Sequence, residues 1–215
     1  ARLVDSPSLP EGKPYFWLQV KELQIRDIME KVLLTGFEPF GKEKINPSGI
    51  VAKKMHGRNI GGRKIISHVL PVTHDCGKII HREIDDIDPQ YIVSLGLACK
   101  RNQITLERVA INMTPENKKI FEDGPDAYFS LLHLGNILEE LHKNNIPARI
   151  SNFAGTYICN YIMYYTLHYL RYNNLDIKAG FIHLPYIPEQ VLDRDLPSMS
   201  LETIEKGIEI AIRAL

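Results

Sequence analysis

Two residue types in this 215-residue chain stand where acyl-transfer chemistry would need them: a thiol at Cys159 and an imidazole at His183. The thiol sits in Ser151 to Tyr165, SNFAGTYICNYIMYY. Ala148 to Asn152 reads as a short strand, Ala154 and Gly155 make a small-residue turn, and Ile162, Met163, Tyr165 and Leu167 continue at helical spacing. A strand therefore stops and a helix starts near Cys159. A thiol there feels the positive end of the helix dipole and backbone N–H groups without intrahelical partners. Both favour thiolate and can hold a developing oxyanion. The plainer reading is packing, since a lone cysteine among apolar residues more often fills a core than attacks a carbonyl.

A thiol nucleophile needs a base, and an imidazole at a second strand end is the natural one. Of the eight histidines, His183 follows the apolar run AGFI and precedes Leu184 and Pro185. That puts it at the carboxyl end of a strand, where open α/β sheets bind ligands. His68, His81 and His142 lie in polar surroundings; for His183 the rival is a satisfied structural histidine. The group that orients the imidazole stays open on residue type alone, with Glu38, Glu107 and Asp123 among the candidates. Glu107 and Arg108 interrupt a β-rich run, QITLERVAIN. A charge there ordinarily faces solvent, or else reaches a site across the sheet.

The loop Thr35 to Lys42, TGFEPFGK, contains G-x-x-x-x-G-K, the spacing of a phosphate-binding loop. Glu43 stands where Ser or Thr would bind magnesium, and its carboxylate repels phosphate, while Pro39 lacks a needed N–H. Nucleotide binding is set aside. Phe37 and Phe40 better suit the walls of an apolar slot, unless both simply pack. His74, Cys76 and His81 match no zinc spacing and share no helical face, so no metal site is expected.

These residues must be positioned by elements that alternate. From Lys31 the chain runs into VLLTG, a fully apolar strand ending in glycine. Ser48 to Met55 reads as helix, Lys64 to Val69 as strand, His74 to Ile87 as helix and Tyr91 to Leu95 as strand. A helix over Leu131 to Asn144 and a closing one over Ser200 to Leu215 follow. Alternation of this kind predicts an α/β domain on a parallel sheet. Residues 1–28 are Pro-rich, then weakly amphipathic through Leu18, Leu23, Ile25 and Ile28, and read as an extension outside a core domain of 29–215.

With 44% hydrophobic residues, the chain can bury one sizeable core. Lys plus Arg equals Asp plus Glu at 26 each, with no dense basic run, which speaks against a nucleic-acid groove or an anionic membrane surface. Three widely spaced cysteines fit a reducing compartment better than a disulfide framework. The amino end carries no secretory pattern and no window reaches membrane-spanning length, so the expected address is the cytoplasm.

Four segments in order, TGFEPFG at Thr35, ITLERVAIN at Ile104, SNFAGTYICNY at Ser151 and GFIHLPYIPEQ at Gly180, resemble those of pyroglutamyl peptidase type I, a family of cysteine peptidases. The resemblance runs from about Lys31 to the carboxyl end, PSMSLE at Pro197 included. It implies a single-domain, three-layer α/β/α sandwich with a twisted, mostly parallel sheet, a homotetramer, no metal or organic cofactor, and peptides with an amino-terminal pyroglutamate as substrates. It also implies Cys159 as nucleophile, His183 as general base, Glu107 as its acidic partner, and Phe37 and Phe40 as the pocket for the lactam ring. Arg101, in GLACKR, matches an arginine beside the catalytic centre that supports the site electrostatically and is grouped with the substrate-binding residues. The alternatives are a silent binder of blocked peptide ends and a nucleotide binder.

The chain also departs from that family. Between Asn112 and Gly124, where the family commonly carries a longer loop with Asp-x-Arg-x-Pro-Asp-Asn, it has MTPENKKIFED. Cys99 and Lys100 replace a Pro-Gly or Gly-Gly pair, the stretch from Asp193 to Pro197 is shortened, and the 1–28 segment has no counterpart.

Overall fold

KVLLTGF forms the first strand, β1 (Lys31–Phe37), and its side chains alternate between two separate cores: Val32 and Leu34 enter one, Leu33 and Phe37 the other. A strand buried on both faces must read as continuously apolar, as this one does. The computed structural model describes residues 29–215, so the docking positions read at Leu18, Leu23, Ile25 and Ile28 lie outside the described residues.

Along the chain follow α1 (Pro47–Met55), β2 (Asn59–Ile60), β3 (Arg63–Leu70), α2 (Asp75–Ile87), β4 (Tyr91–Leu97), β5 (Ile104–Glu107), β6 (Val109–Ile111) and β7 (Ala127–Phe129). Then come α3 (Leu134–Lys143), β8 (Ala148–Ser151), α4 (Ile158–Tyr172), β9 (Lys178–Leu184), a 3-10 turn at Pro188–Gln190 and α5 (Leu201–Arg213). Seven strands make one sheet in the order β2-β3-β1-β4-β9-β5-β8. Helices α1, α3 and α5 cover one face through Val51, Ile137 and Ile208; α2 and α4 cover the other through Ile80, Ile84, Ile162 and Leu167. The result is the expected α/β/α sandwich. Leu33, Leu34, Ile92, Leu95, Ile104 and Phe181 are fully buried between the layers, each worth about 1.5–3 kcal/mol of transfer free energy.

The sheet is not wholly parallel. β2 pairs antiparallel with β3, and β5 pairs antiparallel with β9 while running parallel to β8. The cause is chain length: the segment 98–103 between β4 and β5 is too short for a crossover helix, so the chain must return in the opposite direction. QITLERVAIN also divides. Glu107 ends β5 fully buried, the exposed Arg108 donates its N–H to Ser151 O at 2.8 Å, and β6 leaves to pair with β7 in a separate two-stranded sheet. Among the described residues no helix is long and apolar enough to cross a membrane.

Candidate active site

Cys159 is the second residue of α4, and the helix end around it is left open. Tyr157 caps it without a side-chain hydrogen bond, and Tyr161 N donates to Tyr157 O at 2.9 Å. The N–H groups of Ile158, Cys159 and Asn160 therefore precede the first intrahelical bond. The turn into the helix uses Gly155 at φ +89°, in the left-handed region open to glycine. Asn160 fixes the first helical turn. Its fully buried amide accepts from Ile111 N at 2.9 Å and donates to Ile111 O at 2.9 Å and Met113 O at 3.2 Å, binding α4 to β6. Sequence reasoning missed this residue, because an asparagine inside a helical run carries no signal of its distant partner.

A second missed residue is Gly96, which pairs with His183 across β4 and β9. A Cβ at Gly96 would lie 2.8 Å from Cys159 Sγ and 2.6 Å from Phe181 Cζ. The bare backbone of β4 therefore makes the space in which the thiol rests. Gly96→Ala should push both neighbours, costing about 1–3 kcal/mol of stability and, by moving the sulfur, about 10²-fold in turnover. Thermal melting and kcat on one preparation check this, and kcat within threefold of wild type would remove Gly96 from the site.

His183 and Glu107 come together through the antiparallel register. Thr105 faces His183 and Glu107 faces Phe181, so Glu107 and His183 are diagonal neighbours on one face of the sheet. His183 Nδ1 lies 2.7 Å from Glu107 Oε1. A proton on Nδ1 facing the carboxylate leaves Nε2 free to accept. Arg101 pairs with the same Oε1 through Nη1, and its Nη2 donates to Phe153 O at 3.4 Å, while Glu107 Oε2 is buried without a hydrogen-bond partner. Burial opposes ionisation of Glu107, but the His183 bond and charge, with Arg101 behind them, hold its carboxyl below the usual range. Glu38 and Asp123, equally eligible by type, are exposed.

The protonation states differ from the sequence expectation in one respect. Burial pushes the Cys159 thiol up to about 12, with the Glu107 charge adding to it. Burial also lowers the His183 pKa against the upward pull of Glu107. The resting pair is a neutral thiol and a neutral imidazole, and no hydrogen bond joins Sγ to the ring. Proton transfer then belongs to the reaction rather than to the free site.

Both groups line a cavity of about 760 Å³, whose other walls include Phe37, Phe40, Val72, Leu97, Ala154, Ile158 and Tyr161. Phe37 is 2% exposed and Phe40 37%, so one ring forms the floor and the other the rim. Arg101 does not line this cavity; it stands behind Glu107. The TGFEPFGK loop is no phosphate cradle, since Phe37 N donates to Ser48 Oγ, Glu38 N to Leu70 O and Glu43 N to Phe40 O, each at 3.0 Å. Cys76 is buried in the apolar core, while the ring of His81 lies against Tyr169, with its Nε2 3.4 Å from Asp85.

Comparison with known proteins places the chain in a family. A family model described as pyroglutamyl peptidase matches residues 30–215. The chain belongs to the pyroglutamyl peptidase family. It is 41% identical over 198 residues to a pyrrolidone-carboxylate peptidase of Oceanobacillus iheyensis, covering 87% of this chain and 100% of the relative. A Bacillus thuringiensis pyrrolidone-carboxylate peptidase is 43% identical over 197 residues, covering 86% and 92%. Among solved structures, a mutant pyrrolidone carboxyl peptidase of Pyrococcus furiosus has a TM-score of 0.81 at 41% identity, covering 86% of this chain and 97% of that one. Pyroglutamyl peptidase I of Bacillus amyloliquefaciens has a TM-score of 0.82 at 39% identity, covering 85% and 94%.

Two stretches read from the sequence as departing from the family pattern have these places in the structure. The short 112–124 loop is organised by the Asn112 side chain, which accepts from Ile120 N at 2.8 Å and Phe121 N at 3.0 Å and donates to Phe121 O at 2.7 Å and Gly124 O at 3.1 Å. Its Thr114, Pro115 and Glu116 line the cavity, so the loop makes a rim. Cys99, exposed, also lines the cavity, and Lys100 takes the left-handed conformation at φ +71°.

Proposed function

We propose that this chain, as a cysteine peptidase, removes an amino-terminal pyroglutamyl residue from peptides, with Cys159 as nucleophile, His183 as base and acid, and Glu107 as the group that orients the ring. The observation that carries the reading is one apolar cavity lined by both Cys159 and His183, with Nδ1 of the imidazole held 2.7 Å from a buried carboxylate. As substrate binds, His183 Nε2 takes the thiol proton and sulfur attacks the pyroglutamyl carbonyl. The open N–H groups at the start of α4 donate to the oxyanion. The imidazolium, stabilised by Glu107, gives its proton to the departing amine, leaving a thioester that a water activated by the same ring hydrolyses. These steps call for no metal or organic cofactor.

The test is release of the fluorophore from a pyroglutamyl amide, abolished when iodoacetamide modifies Cys159; an enzyme that releases none would overturn the reading. Three unpaired cysteines support a reducing compartment, and we place the protein in the cytoplasm. A homo-oligomer, with the tetramer as the family expectation, is supported by exposed Phe129, Leu131 and Leu175, which line one surface depression.

The pH profile carries a signed expectation for Glu107→Gln. Turnover needs neutral His183, so kcat/KM falls as pH drops through the imidazole pKa, which burial sets below the ordinary value. The Glu107 charge pulls that pKa up. Without it the acid limb should move to lower pH, while kcat falls about 10²-fold or more because the imidazolium loses its counter-charge. A limb that stays in place, or wild-type kcat, would move the third role to another residue.

A further inference from the structure

Glu43, the carboxylate that breaks the phosphate-loop pattern, has no part in the catalytic steps, yet it is among the most heavily bonded side chains near the cavity. Its Oε1 accepts from Arg194 Nη1 at 2.6 Å and Tyr186 Oη at 3.3 Å, and its Oε2 accepts from Gln190 Nε2 at 3.2 Å. All three donors lie in the segment after β9, far from Glu43 in sequence. Gln190 also holds Ile45 O at 3.2 Å, and Tyr186 Oη meets Cys99 Sγ at 2.9 Å. One buried tyrosine and one buried glutamine thus connect the β1–α1 loop, the loop after β4 and the loop after β9. Burial works against ionisation of Glu43, but its three donors and the Arg194 charge outweigh it and keep the carboxyl below its ordinary range. The clasp is closed at neutral pH.

The link to the substrate slot is short. Glu43 N donates to Phe40 O at 3.0 Å across a turn in which Gly41 takes φ +61°. Phe40 stands 37% exposed at the cavity rim, and the turn that carries it is tied to Glu43 through that backbone bond. We propose that Glu43 is a positioning residue for substrate binding, its clasp with Arg194, Gln190 and Tyr186 fixing the Phe40 wall over the cavity that holds the pyroglutamyl ring. The proposal rests on the pyroglutamyl reading of that cavity. It acts on binding and not on the chemical step, because none of these side chains is hydrogen-bonded to Cys159, His183 or Glu107.

The experiment compares wild type, Glu43→Ala, Arg194→Gln and the double variant on a pyroglutamyl fluorogenic amide. A second readout is the concentration of 2-pyrrolidone that half-protects Cys159 from iodoacetamide, followed by peptide mapping because Cys99 is also exposed. Glu43→Ala should raise KM about tenfold with kcat within about threefold. The half-protecting concentration should rise by the same factor, while Cys159 without 2-pyrrolidone is alkylated at the wild-type rate. Arg194→Gln removes a partly exposed side chain, so folding is not at stake, and should shift KM in the same direction by less. The double variant should be no worse than Glu43→Ala, since both act through one contact. Unchanged KM in an active Glu43→Ala enzyme, a fall confined to kcat, or multiplying effects in the double variant would overturn the proposal. A wild type that binds 2-pyrrolidone without turning over the amide counts against the peptidase reading, and the protection shift then decides the clasp.

Discussion

Cys159→Ser should lower kcat on a pyroglutamyl amide by about 10³-fold or more, with the thermal transition close to that of wild type. The thiol already sits at about 12 in this buried site, and an alcohol in the same place ionises far less readily. His183, itself made a weaker base by burial, can take a proton from sulfur as attack begins but meets a much higher barrier with oxygen. The substitution is nearly isosteric, so the fold loses little. Cys76 is the control: it lies in the core between α2 and α4 with its thiol also raised to about 12, and forms no part of the cavity. Cys76→Ala should keep kcat within about threefold while costing some stability for the lost packing. Activity of Cys159→Ser within tenfold of wild type, or loss of activity in the folded Cys76→Ala protein, would refute the assignment of the nucleophile.

The second large effect is on substrate choice: kcat/KM for a pyroglutamyl amide should exceed that for a glutaminyl or prolyl amide by about 10³-fold or more. The slot is walled by Phe37, Phe40, Val72, Leu97, Ala154 and Ile158. The carboxylate that lines it, Glu116, is an exposed residue on the rim, and the buried Glu107 is already engaged by His183 and Arg101. A free α-ammonium entering the slot would be stripped of water with no anion to meet it. The neutral lactam loses only hydrogen bonds that backbone groups can replace. A glutaminyl end fails on charge; a prolyl end keeps a ring but brings a protonated amine and lacks the lactam carbonyl. The three amides are to be compared on one preparation, and similar kcat/KM values would defeat the neutral-slot argument even with Cys159 confirmed.

Much of this arrangement was legible in the residues because it is local. The apolar run from Lys31, the small turn before Cys159 and the strand leading to His183 each declare themselves within ten or so positions. The choice of Glu107 over Glu38 and Asp123 was not local. It depends on β5 lying antiparallel beside β9, which no periodicity states, and on the exposed Arg108 taking the place in the chain where the strand breaks. Residue types alone leave Glu38, Glu107 and Asp123 among the open candidates, and the family resemblance singles out Glu107. Gly96 and Asn160 escaped for a related reason: the space the glycine leaves and the backbone groups the asparagine binds belong to segments distant in sequence. The raised thiol escaped for another reason, since a helix end can be read from a sequence but the desolvation of the sulfur and its nearness to the Glu107 charge cannot.

The diagonal placement of Glu107 against His183 also limits where this chain can change length. Side chains on a strand alternate faces, so one residue inserted or removed between Thr105 and Glu107 would turn the carboxylate through the sheet, toward Leu141 and Ile208 on the opposite side. The imidazole would lose its partner although every residue type remained present. Segments flanking the strand, 98–103 before it and 112–124 after β6, can lengthen or shrink at their exposed positions without altering that parity. Gains and losses of residues across related chains should therefore collect in those two loops and stop at the borders of β5, a four-residue strand whose length behaves as a fixed quantity while its surroundings drift.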